Sequence, residues 1–188
     1  MANKIKYFII TGEPGVGKTT LIKKLTTLIN DIGIKTAGFY TDEVRNNRVR
    51  EGFDVVTLDG KRGRLARDQS LVSGPTKYKV GKYAVLIPEF ESVALTSLDK
   101  VEGTQLCLVI DEIGKMEFFS DPFKRRIKEI FSSNSDNIVL ATIPIRKGDP
   151  IIESIRNNTQ GKVWTVTREN RNNVHELILQ EMKTSLIA

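Results

Sequence analysis

The sequence predicts a three-layer α/β sandwich: a parallel sheet with helices on both faces and an antiparallel meander added to it. Three observations carry that prediction. Short apolar runs ending in loop or acidic residues alternate with stretches whose apolar residues recur every three or four positions. A glycine-rich loop joins the first such run to the first such stretch. Between 35 and 66, three strand-like segments follow one another, separated only by turn formers.

Taken in order, 5–11 (IKYFIIT) is a run of aromatic and β-branched residues that stops at a glycine, as a buried parallel strand does. From Thr19 the residues Leu21, Ile22, Leu25, Leu28, Ile29 and Ile32 form one helical stripe, and Gly33 offers a left-handed terminator. The meander comprises 35–44, 49–58 and 63–66, turned at Asn46-Asn47 and Asp59-Gly60; the second is the firmer hairpin signal because it holds a glycine. The stretch 69–82 carries Ser73-Gly74-Pro75 and little periodicity, which marks it as a candidate mobile loop.

The run 105–110 (QLCLVI) is nearly all apolar and ends in Asp111-Glu112, as a central strand buried on both faces would. Ser120-Asp121-Pro122 caps a helix with the stripe Phe123, Ile127, Ile130 and Phe131. A further buried strand follows at 137–142 (NIVLAT), then a short helix from Asp149-Pro150 with Ile151, Ile152 and Ile155 on one side. The alternating strand 162–167 (KVWTVT) precedes a last helix from about Asn172, striped by Val174, Leu177, Ile178 and Met182.

At 188 residues with a hydrophobic fraction of 39%, a single domain spanning 1–188 is expected. The net charge of +6 suits a polyanionic ligand, either a triphosphate or a nucleic acid. Cys107 is the one cysteine, so an internal disulfide and a cysteine-based zinc site are both excluded, and a reducing, cytoplasmic compartment is expected. No apolar run approaches the roughly 20 residues of a membrane span, so no membrane partner is expected. With a strand opening by Ile5, the mature fold is expected to start almost at Met1, without a signal segment.

Gly12, Glu13, Pro14, Gly15, Val16, Gly17, Lys18 and Thr19 fit G-x-x-x-x-G-K-[ST], the phosphate-binding loop (P-loop), and the motif lies between a strand and a helix as it must. Its glycines let successive amides turn toward one anion, while the helix start adds the positive end of its dipole. Lys18 is expected on the β- and γ-phosphates and Thr19 on Mg²⁺, a hard cation that favours oxygen ligands. Leu108 to Glu112 then brings an acidic pair to the same sheet edge. Asp111 reads as the carboxylate of the magnesium site, and Glu112 as the base that orients and deprotonates water.

Other residues carry less. Thr142 ends the strand beside the acidic pair, where a polar group can contact the γ-phosphate or simply cap the strand. Arg146, Arg168 and Arg171 follow strands and could reach a transition state, though a solvated surface position is the ordinary one for each. His175, Cys107 and Trp164 read as structural. The basic cluster Arg45, Arg48, Arg50, Lys61, Arg62, Arg64 and Arg67 reads first as a solvated hairpin face. It leaves nucleic acid open as a partner without requiring it, and no aromatics interleave with the charges.

GEPGVGKTT at 12–20, GFYTDEVR at 38–45, GFDVVTLDGKRG at 52–63, VIDEIGKMEFFS at 109–120 and ENRN at 169–172 together resemble the THEP1-type nucleoside-triphosphatase family over nearly the whole chain. The P-loop is shared with many unrelated proteins, whereas DEIGKME with GFYTDEVR is specific to this family. The resemblance implies a P-loop NTPase with a RecA-like core, the acidic-pair strand being separated from the P-loop strand. It also implies slow, magnesium-dependent hydrolysis of several nucleoside triphosphates to diphosphate and phosphate: ATP, GTP, CTP, UTP and TTP, by a protein expected to be a monomer. By motif position the nucleotide-binding set is Gly12 to Thr20, with Asp111, Glu112, Gly114 and Lys115; Lys18 and Glu112 are catalytic, and Thr19 and Asp111 hold the metal. Glu13 stands where similar sequences can carry proline, and its carboxylate near a triphosphate would slow binding.

Three other readings compete. Asp111 to Gly114 also fits the D-x-x-G of a G-protein switch, but the base-reading N-K-x-D is absent, which favours loose base recognition. A small-molecule or nucleotide kinase would need a lid with several arginines, and 69–82 has lysines only. A nucleic-acid-dependent ATPase draws on the basic meander and on the order of the motifs.

Overall fold

The computed structural model describes residues 4–99, 105–132 and 134–187. The expected start of the fold at Met1 and the full span 1–188 of the domain extend beyond them. Nine strands form one sheet: β1 (Tyr7–Gly12), β2 (Lys35–Asn46), β3 (Val49–Thr57), β4 (Arg62–Asp68), β5 (Lys79–Val80), β6 (Tyr83–Val85), β7 (Leu106–Ile110), β8 (Ile138–Thr142) and β9 (Gly161–Val166). Their spatial order is β5-β6-β4-β3-β2-β7-β8-β1-β9. From β2 through β7, β8 and β1 to β9 every pairing is parallel; from β2 outward through β3, β4, β6 and β5 every pairing is antiparallel. Strand β8 therefore separates the acidic-pair strand β7 from the P-loop strand β1, as the family resemblance implies.

Among the described residues five helices cover the sheet: α1 (Lys18–Asp31), α2 (Ile87–Ser97), α3 (Asp121–Ser132), α4 (Pro150–Arg156) and α5 (Val174–Ile187). Because successive strand residues point to opposite faces, the core divides in two. Tyr7, Ile9, Leu106, Leu108, Ile110, Val139 and Ala141 pack with the buried residues of α2, α3 and α4. Their strand neighbours Phe8, Ile10, Cys107, Val109, Ile138 and Leu140 pack with those of α1 and α5. These are the three layers that the sequence predicts. Ile22 and Leu25 of α1 are fully buried; removing either side chain to alanine would cost about 2–5 kcal/mol, a large part of the roughly 5–15 kcal/mol by which a domain is stable.

Local chemistry accounts for the helix ends. α1 begins at Gly17, whose φ of 111° is left-handed, a conformation other residues rarely adopt. Ser120 Oγ accepts the amide of Phe123, and Asp149 Oδ1 accepts the amides of Ile151 and Ile152, so α3 and α4 are capped where the sequence predicts.

The sequence reading requires three corrections. The β2–β3 turn is Asn47-Arg48 rather than Asn46-Asn47; both residues have positive φ, 47° and 67°, the geometry of a two-residue hairpin achieved without glycine. Within 69–82 lie a 3₁₀ turn (Gln69–Leu71) and strand β5, so the meander continues to the sheet edge. Helix α2 was not legible: Phe90 and Ala94 are its only buried side chains, too few for a stripe.

Candidate active site

The P-loop strand, the acidic-pair strand and β8 end at one edge of the sheet, and this brings the motifs together. In the loop, Glu13, Pro14, Gly15 and Thr20 are exposed, while Gly17, Lys18 and Thr19 are half-buried. Val16 turns its side chain into the core between sheet and helix, so only its backbone is available to a ligand. Lys18 Nζ donates to the carbonyls of Gly12 at 2.8 Å and Glu13 at 3.1 Å, which holds its positive charge over the loop.

Asp111 is 1% exposed at the end of β7. The hydroxyl of Thr19 donates to its Oδ2 at 2.7 Å, that of Thr142 donates to its Oδ1 at 2.6 Å, and the amide of Thr41 lies 3.4 Å from Oδ2. Burial raises the Asp111 carboxyl above its ordinary range, against the hydrogen bonds of Thr142 and Thr19 and the charge of Lys18, which favour the ionised form. Glu112 follows through a cis peptide bond and is partly exposed. Burial and then the neighbouring Asp111 raise its carboxyl, with Lys18 opposing. Gly114 is buried and Lys115 exposed on the turn beyond.

The second signature, GFYTDEVR, now has a structural reason. Gly38 pairs with Val109 on β7, and a Cβ there would lie 1.9 Å from the Val109 carbonyl oxygen, so only glycine lets β2 approach. The same strand continues past the sheet edge, which puts Thr41 against Asp111 and Asp42 2.9 Å from Lys23 of α1. Thr41 was missed because its contribution is a backbone amide, which no side-chain pattern reveals.

Much of the basic cluster is neutralised. Arg45 and Arg50 pair with Glu43, Arg62 with Asp42 and Asp54, Arg64 with Glu89, and Arg67 with Asp54. Arg146, Arg168 and Arg171 are exposed. Trp164 stacks on Phe8, with ring centroids 5.7 Å apart, and Cys107 is buried with its thiol pushed up by burial to about 12; both are structural, as read from sequence. His175 is half-buried, and its Nδ1 has no hydrogen-bond partner among the described residues.

The NTPase family model matches residues 7–179. The chain is 44% identical over 177 residues to the cancer-related nucleoside-triphosphatase of Homo sapiens, covering 90% of this chain and 92% of that one. It is 41% identical over 175 residues to nucleoside-triphosphatase THEP1 of Thermotoga maritima, covering 93% and 94%. This chain belongs to the THEP1-type nucleoside-triphosphatase family. Two solved structures agree: THEP1 from Aquifex aeolicus (TM-score 0.79, 37% identity, 93% of this chain and 97% of that one) and a human cancer-related nucleoside triphosphatase (TM-score 0.81, 44% identity, 96% and 98%). As a THEP1-type chain it has the P-loop and the acidic pair on one sheet edge, and no helix among its described residues is long and apolar enough to cross a membrane.

The donor set suits magnesium. Thr19 and Asp111 offer only oxygen, and the buried Asp111 carboxylate has hydroxyl and amide neighbours but no paired cation among the described residues.

Proposed function

We propose that this protein hydrolyses nucleoside triphosphates, ATP, GTP, CTP, UTP and TTP alike, to the diphosphate and phosphate with magnesium. The backbone N–H groups of the 12–20 loop, Pro14 excepted because it has none, and Lys18 bind the triphosphate, with Lys18 drawing charge from the β- and γ-phosphates as it develops. Thr19 and Asp111 would hold magnesium, which when bound would neutralise phosphate charge. Glu112 takes a proton from water; the water oxygen bonds to the γ-phosphorus as the bond to the β-bridging oxygen breaks, and the diphosphate leaves. Gly114 and Lys115 belong to the nucleotide side of the same segment.

The observation that carries this reading is the 2.7 Å contact of Thr19 with Asp111, which joins the two halves of the site. A raised pKa makes Glu112 a stronger base than an exposed glutamate. Slow turnover accords with the exposed state of Arg146, Arg168 and Arg171, since an arginine ordered at the transition state is worth about 10³–10⁵ in rate. Broad base tolerance rests on the missing N-K-x-D motif. The pairing of the meander arginines weighs against a nucleic-acid surface, and a cytoplasmic monomer is the form we propose.

Phosphate release from a panel of triphosphates, with and without nucleic acid or acceptor molecules, tests it. Magnesium-dependent release from every triphosphate without additions supports hydrolysis. Release that requires nucleic acid, or transfer to an acceptor, overturns it.

A further inference from the structure

A second carboxyl lies close to Glu112. Glu117 opens the 3₁₀ turn Glu117–Phe119 and is 4% exposed, a depth at which carboxyl groups are rarely found without a cationic partner. No ion pair reaches it among the described residues, and the nearby backbone of residues 114 and 117 only partly offsets the cost of its burial. A methyl group built on Gly114 would stand 3.1 Å from Glu117 Oε2 and 3.2 Å from Glu112 Oε1, so the two carboxyls flank one bare glycine. The turn is closed by the amide of Phe118 on the Gly114 carbonyl, and Ser120, whose amide meets the Glu117 carbonyl, starts α3. The Glu117 backbone is thus held on both sides, whereas the Glu112 side chain is partly exposed.

We propose that Glu117 is a positioning residue: buried and packed beside Gly114, its carboxyl limits the Glu112 carboxylate to the orientation from which water is activated. The inference rests on Glu112 being the base. Burial first, and then the charge of Glu112, hold Glu117 well above the ordinary carboxylate range. That direction favours its protonated form beside Glu112 more than in an exposed glutamate, and glutamine is the close mimic of that form.

The test compares Glu117→Gln with Glu117→Met, which keeps the length but cannot hydrogen-bond. In Glu117→Met, kcat for ATP falls by about ten- to a hundredfold, as expected of a misplaced catalytic group, while KM stays within about threefold of wild type. Glu117→Gln keeps kcat within about threefold. In a Glu112→Gln background, Glu117→Met costs less than about twofold, because the two act as a unit. A Glu117→Met protein that keeps wild-type kcat, or loses it only through KM, overturns the proposal, as does a further tenfold loss in the Glu112→Gln background. Thermal unfolding shows whether Glu117→Met folds; should it not, the comparison falls to Glu117→Gln and Glu117→Ala on the same criteria. Near-normal turnover in Glu112→Gln alone would refute the base itself, a different result from a silent Glu117→Met beside an inactive Glu112→Gln.

Discussion

Thr19 Oγ1 donates a 2.7 Å hydrogen bond to Asp111 Oδ2, although 92 positions separate the two residues. The contact exists because α1 starts and β7 ends at one edge of a parallel sheet, with β8 between β7 and β1. These are the two side chains that, in the proposed function, would hold magnesium.

Lys18→Ala removes the side-chain charge that hydrogen-bonds the loop carbonyls of Gly12 and Glu13. A charged hydrogen bond is worth about 1.5–3 kcal/mol, so titration calorimetry is expected to give an ATP affinity at least about tenfold weaker. An unchanged Kd would refute the assignment of this lysine.

Thr142→Val takes one donor from a buried carboxylate that is 1% exposed. Leaving such a group short of a partner costs about 1–3 kcal/mol. Denaturant unfolding should show that loss, and turnover should need more magnesium. A variant with wild-type stability and the same magnesium dependence would mean that Thr142 only ends a strand.

The sign of a pH effect follows from Glu117. Its folded pKa lies well above the unfolded value of about 4.3. Above that unfolded value the folded chain keeps a proton that the unfolded chain has released, so stability falls as pH rises toward the folded pKa. Glu112 and Asp111 face it with raised values of the same sign. Asp42 and Glu43, where burial is outweighed by their lysine and arginine partners, and Glu89, beside Arg64, shift the opposite way and lose stability in acid. All of these remain in Glu117→Gln. The Tm of Glu117→Gln minus that of wild type is therefore near zero at pH 4 and grows positive as pH rises above about 4.3; a constant or shrinking difference contradicts a raised Glu117 pKa.

Purine and pyrimidine triphosphates should be hydrolysed with kcat/KM values within about tenfold of one another, since only contacts to the base could separate them further. A strong preference for GTP in the same assay would favour a switch protein.

What the sequence made legible and what it hid follow from physics. β1, β7 and the P-loop were legible because a short apolar run ending in glycine or paired acids has few other interpretations. Helix α2 was not, since its burial comes from meeting α3 and the meander rather than from a stripe of its own. The acidic pair could be read residue by residue, but the buried state of Glu117 could not: a glutamate after Lys115-Met116 looks solvated until the turn folds it inward. Thr142 was open between phosphate contact and strand cap, and its hydroxyl is found on Asp111.

The most direct measurement sets Glu112→Gln beside wild type, with magnesium-ATP binding by calorimetry and phosphate release in the same buffer. Binding should stay within about threefold, while turnover falls by about 10²–10⁴-fold, the usual contribution of a positioned base. Near-normal phosphate release from Glu112→Gln would contradict the site as described.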